Sequence, residues 1–234
     1  MTDRLGALLA ENPGLERASH LAPTVLPVLQ AFEALLPEAG LRPGTTTCVT
    51  GVGATSLGLS LVSRASRDAW TAAVGMPTLG LHAAAELGID LDRLVVIEDP
   101  GKQWTDVLAA LVDSFDVVLV NATIGAGGSG GAAPPIRKVN ARVREQGSVL
   151  VAIGPWPESD VRFVGTTSVW HGIGHGHGHL TARALGVTTS GRRAAARPRN
   201  ATLWLPDADG NITTFERDNV VPIGGHPPTP GLAT

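Results

Sequence analysis

The chain has 234 residues, 43% of them hydrophobic and 17% charged, enough to bury the core of one α/β domain. Its 18 Lys and Arg against 21 Asp and Glu leave a net charge of −3, which excludes the global basic field that drives non-specific nucleic-acid binding, so any DNA contact must be local. The single cysteine, Cys48, excludes an intrachain disulfide and a cysteine-based zinc site, and no apolar run reaches the roughly 18 residues of a membrane span.

The N-terminus carries Asp3, Glu11 and Glu16 and lacks the apolar run of a signal peptide, so the expectation is a cytoplasmic protein with no membrane contact. Residues 1–40 read as an N-terminal helical segment. Within it, Leu21–Leu36 has Leu29, Phe32, Leu35 and Leu36 at helical spacing, despite Pro23 and Pro27. Gln30 opens a superficial sliding-clamp motif, Q-A-F-E-A-L-L, but that spacing turns Phe32 and Leu35 or Leu36 toward the core. After the Leu41–Gly44 turn, Thr46–Thr50 is a β-branched strand that runs into Gly51-Val52-Gly53-Ala54-Thr55-Ser56 and then a helix from about Ser56 to Arg67.

The alternation then repeats. Strands are expected at Trp70–Gly75, Arg93–Glu98, Phe115–Ala122 and Ser148–Gly154, with helices at Leu79–Leu87, Trp104–Ser114 and Ile136–Gln146. A glycine-rich loop, Ile124–Pro135, precedes the last helix. Phe115–Ala122 is almost wholly apolar, as a strand covered on both faces should be. Strand-helix repetition predicts right-handed crossovers and a mostly parallel sheet flanked by helices. Beyond Gly154 the helices stop: Ser168–Ile173, Leu180–Ser190 and Asn200–Pro206 read as antiparallel edge strands, joined by a His/Gly loop and an arginine-rich turn. Residues 41–215 thus form the core with its hairpins, and residues 216–234 a flexible Pro/Gly-rich tail.

Strand, glycine turn and helix at Val49–Val62 have the layout of a phosphate-binding loop, but G-x-x-x-x-G-K-[ST] needs a lysine and none stands there. A dinucleotide site fits no better, since the third glycine and an acidic ribose ligand are missing. In HGIGHGHGH, His171, His175, His177 and His179 are weak metal candidates, because a glycine loop offers no rigid ligand face. Arg192, Arg193, Arg197 and Arg199 form a basic turn that is a candidate partner or DNA contact, with no aromatic stacking ladder beside it.

The runs AFEALLPEAGLRPGTTTCVTG, LGLHAAAELGIDLDRLVVIE and FDVVLVNATIG resemble the core of RecA-like recombinases over about Leu21–Gly154. VWHG with its Gly/His loop, then GRRAAARPR before LWLPDADG, resembles the narrower group of actinobacterial, especially mycobacterial, ImuA-type mutasome proteins. Aligned this way, Ala54 stands at the phosphate-lysine position, Asn121 where a Walker B aspartate would hold magnesium, and Gly75-Met76-Pro77 where a carboxylate would activate water. Gly51, Gly53, Ala54, Thr55, Ser56 and Asn121 therefore constitute a degenerate nucleotide loop. Charged hydrogen bonds are worth roughly 1.5–3 kcal/mol each, and about 1.4 kcal/mol is tenfold in rate, so the combined losses predict negligible ATP hydrolysis.

The resemblance implies a non-enzymatic adaptor in damage-induced mutagenesis, the SOS translesion response, with no cofactor. Its implied partner is an inactive Y-family polymerase homologue, and through it an error-prone replicative-type polymerase and the sliding clamp. The alternatives are a SulA-like cell-division inhibitor and a residual DNA-dependent ATPase. Self-association through Leu5–Leu36 is weighed equally with that segment covering its own sheet.

Overall fold

The computed structural model describes residues 25–124, 134–174 and 177–215. A short ladder of β1 (Leu26–Pro27) and β2 (Gly40–Leu41) brackets a single helical turn, α1 (Gln30–Glu33). The long helix expected over Leu21–Leu36 is therefore not formed in its described part. Pro27 has no backbone N–H and a fixed φ, so it suits the short edge ladder and not a helix interior. The helical spacing nevertheless identified the inward residues: Phe32, Leu35 and Leu36 are buried in the core, while Gln30 is exposed. This part of the N-terminal segment covers its own sheet, and residues 1–24 lie outside the described residues.

The main sheet is built from β3 (Thr46–Gly51), β4 (Thr71–Val74), β5 (Leu94–Ile97), β6 (Val117–Asn121), β7 (Val149–Ile153), β8 (Val161–Gly174), β9 (His177–Gly191), β10 (Arg199–Trp204) and β11 (Thr213–Thr214). Their order across the sheet is β11-β10-β9-β8-β3-β7-β6-β4-β5. The six strands from β8 to β5 are parallel, and β9, β10 and β11 add an antiparallel edge. The fold is α/β, with a large mostly parallel sheet flanked by helices, as the alternating periodicity predicted.

Among the described residues four further α-helices complete it: α2 (Ala54–Ser66), α3 (Leu81–Glu86), α4 (Trp104–Ser114) and α5 (Pro134–Gln146). Strand β6 shows how both sheet faces are sealed. Val117 and Leu119 join the cluster beneath α2 and the N-terminal segment, whereas Val118 and Val120 join the cluster beneath α4 and α5, as the two-residue pleat requires. On the first face Phe32 meets Phe163 edge-on, ring centroids 6.5 Å apart. On the second, a bidentate Arg142–Asp113 pair at 2.6 Å ties α5 to α4 and raises the arginine pKa, chiefly through its hydrogen bond to Asp113. Buried Asn140 organises the same side: its Oδ1 accepts from Trp156 Nε1 at 2.9 Å and Thr46 Oγ1 at 3.3 Å, and its Nδ2 donates to the Pro157 carbonyl at 3.3 Å.

Candidate functional site

In an open parallel sheet the loops at the C-terminal strand ends are where ligands gather. There two strands approach closely through paired glycines. Gly51 ends β3 with φ +82°, a left-handed conformation that side chains disfavour, and pairs with Gly165 of β8. A Cβ on Gly51 would collide with the Gly165 carbonyl, a Cβ on Gly165 would collide with that of Val52, and Val52 N–H donates to the Gly165 oxygen at 2.9 Å. The two glycines let the turn lie flat against β8.

Gly53, at φ +70°, is the N-cap of α2, which begins at Ala54, two residues earlier than its spacing suggested. The first intrahelical bond runs from Leu57 N–H to the Gly53 carbonyl at 2.9 Å, so the amides of Ala54, Thr55 and Ser56 precede it. No side chain caps this end and no acidic residue stands in the first turn. Thr55 is exposed and Ser56 half-buried.

Asn121 and Gly75 lie along the same edge, with β7 between β3 and β6. Asn121 ends β6, and its Oδ1 accepts from the Thr123 backbone at 3.0 Å and the Thr123 hydroxyl at 2.8 Å, which makes it the closing group of its own turn. Gly75 follows β4 at φ +69°. The Ile124 side chain packs so tightly on it that a Cβ there would collide with Ile124 Cγ2. An apolar side chain thus covers Gly75. Most of the adjacent glycine-rich loop, residues 125–133, lies outside the described residues.

A residue that sequence reasoning missed completes this edge. Arg183 of β9 sends its guanidinium against Gly53: a Cβ at Gly53 would lie 3.0 Å from Arg183 Cζ and would collide with Nη2. The residue is only 8% exposed, and its Nε and Nη2 are buried without a hydrogen-bond partner. Burial lowers its pKa below the ordinary arginine value. The Trp170 ring stands opposite on β8, 5.4 Å from Cζ. The signal was present in the sequence, since Ala182-Arg183-Ala184-Leu185 sets one charge inside an apolar strand.

The histidines fall differently from expectation. The anticipated His/Gly loop is the end of a two-stranded ribbon in which β8 and β9 pair as far as Gly174 and His177. His171 is in β8 and packs edge-on to Trp204, centroids 5.1 Å apart. His179 is exposed in β9, His177 opens that strand, and His175 lies outside the described residues. Among the described residues no three His, Cys, Asp or Glu converge as metal ligands.

The basic turn occupies the opposite edge of the sheet. Arg192 N–H donates to the Asp160 carbonyl at 2.9 Å, just before β8 starts, and its side chain is exposed. With Arg42 and Arg144 it lines a cavity of about 240 Å³. Arg193 opens a short 3-10 turn, Arg197 is exposed and Arg199 starts β10. Arg192 thus lies at the strand ends opposite the glycine turn, and Arg199 lies three strands away from β3. No helix among the described residues is long and apolar enough to cross a membrane.

The chain is 42% identical over 118 residues to the uncharacterized protein Rv3395c of Mycobacterium tuberculosis, a match covering 50% of this chain and 55% of that protein. The chain thus spans about half the length of the curated relative it matches. The family model of the MT3502 N-terminal domain matches residues 34–158, more than half of the chain and the whole span from Phe32's neighbours through β7, and the chain belongs to that family.

Proposed function

We propose that this protein is a RecA-like adaptor that does not hydrolyse nucleotide and acts in damage-induced mutagenesis, in the cytoplasm. In this reading it binds an inactive Y-family polymerase homologue and supports an error-prone replicative-type polymerase and the sliding clamp. The observation that carries the non-catalytic part is the C-terminal edge of the sheet. A glycine turn and helix N-terminus sit there as in a phosphate loop, while Ala54 replaces the lysine, Asn121 closes its own turn, and Ile124 covers Gly75. A parallel core with an antiparallel C-terminal edge is compatible with a RecA-like scaffold, and the mycobacterial relative supports the actinobacterial resemblance.

A scaffold without chemistry acts through its surface. Exposed large apolar side chains concentrate on the β8–β9 ribbon: Val169, Trp170, Ile173 and Leu180 are each about half exposed, at 48–59%. Exposed apolar groups on this ribbon favour protein contact over solvent, which supports a partner surface in the C-terminal half. Purified protein should show no ATP hydrolysis above background, with or without single-stranded DNA. Turnover that disappears on changing Thr55 or Ser56 would refute the non-catalytic reading.

A further inference from the structure

We propose that Arg183 and the first turn of α2 form a binding site for a tetrahedral oxyanion, a phosphate group, in which an arginine from β9 supplies the cation that the glycine turn itself lacks. The assignment stands on geometry alone and does not depend on the mutasome reading. Helix α2 has 13 residues, long enough for its aligned peptide dipoles to concentrate positive charge at Gly53–Ser56. That end has no side-chain cap and no acidic residue in its first turn. Against it the fold presses a second positive group, the Arg183 guanidinium, whose Nε and Nη2 are buried and lack an acceptor. Two positive ends meet, and none of the ion pairs formed in the described residues involves Arg183.

Burying a cation without a partner is costly, and the Trp170 ring at 5.4 Å offsets only part of that cost. An anion from solvent satisfies both groups at once. The donors available to it are the amides of Ala54, Thr55 and Ser56, the hydroxyls of Thr55 and Ser56, and the guanidinium, a donor-rich set suited to the several oxygens of a phosphate. The helix end is approached over exposed Val52 and Thr55, while Nε and Nη2 of Arg183 lie buried on its far side against Gly53. The mode is binding without turnover, since Asn121 and Gly75 supply neither a metal carboxylate nor a base.

The test uses the full chain without magnesium, titrated with sodium phosphate and separately with ATP, at ionic strength held constant with sodium chloride. Amide resonances of Ala54, Thr55 and Ser56 and the Arg183 Nε–H resonance are followed by NMR, and affinity is measured by calorimetry. Saturable shifts at these four groups are expected, with affinity at least tenfold weaker in Arg183→Met and partly retained in Arg183→Lys. Response to phosphate identifies the free ion as sufficient, and response to ATP alone, lost in Arg183→Met, identifies a nucleotide as the source. Either supports the site. No shift at these groups with either ligand in the wild-type protein, or equal affinity in a folded Arg183→Met variant, overturns it. The wild-type spectra decide the matter even where a variant does not fold.

Discussion

Replacing Gly51 with alanine tests the close approach on which the whole edge is built. Two costs are separable. Holding an L-residue at φ +82° costs about 1–2 kcal/mol. In addition, the new Cβ would strike the Gly165 carbonyl, a backbone atom that cannot rotate away, so the Gly51–Gly165 pairing and the 2.9 Å bond from Val52 N–H must give. A backbone hydrogen bond contributes about 0.5–1.5 kcal/mol net, and a buried carbonyl left unpaired costs about 1–3 kcal/mol. The total is roughly 2.5–6.5 kcal/mol, a large share of the 5–15 kcal/mol that holds an ordinary domain together. Gly147→Ala is the control: φ is +67° but nothing lies within 4 Å of its Cβ, so only the conformational cost of about 1–2 kcal/mol applies. Urea unfolding followed by circular dichroism gives both values. Equal destabilisation by the two substitutions would refute the argument that β8 seats the turn.

Leu61, fully buried beneath the sheet, should lose about 2–5 kcal/mol on truncation to alanine, read from the urea midpoint. Asn140→Leu leaves the Trp156 indole N–H without its acceptor and should cost about 1–3 kcal/mol, with a change in tryptophan fluorescence in the folded state. Ile173→Ser with Leu180→Ser should weaken binding to the polymerase homologue about tenfold in a surface-plasmon titration while leaving the melting temperature nearly unchanged, because both side chains are already half exposed. Deleting residues 216–234 should likewise weaken partner binding and lower damage-induced mutation without large loss of thermal stability. If that deletion and charge reversal at Arg192 and Arg193 all bind as wild type, the contact lies elsewhere.

Elements whose burial alternates with the backbone period were readable from sequence. Phe115–Ala122 reveals a two-faced strand because both pleat faces are apolar, and Trp104–Ser114 matches α4 to the residue. In the described part of Leu21–Leu36 the expectation misled because a helical spacing of apolar residues also satisfies a short strand and a single helical turn that both face the core, and Pro27 favours the strand. The His/Gly run looked like a loop since glycine is disfavoured in strands. Cross-strand pairing across 165–187 and 171–182 overrides that local preference and carries the ribbon outward. The lone charge in Ala182-Arg183-Ala184-Leu185 marked Arg183 as unusual but not what it meets: Gly53 is 130 positions away, and only the β8–β9 hairpin, joined to β3 through β8, brings them together. Sequence likewise placed Ala54 and Asn121 in the loop without revealing that Ile124 folds over Gly75.

The most direct test of the adaptor reading is affinity capture of the tagged full chain from cells with and without DNA damage, with partners identified by mass spectrometry and the interaction rebuilt from purified components. Damage-dependent enrichment of the inactive Y-family polymerase homologue is expected, with direct binding between the purified pair in the absence of nucleotide and magnesium. Capture of the tubulin-like division protein in its place, or no binding between the purified pair, would contradict it.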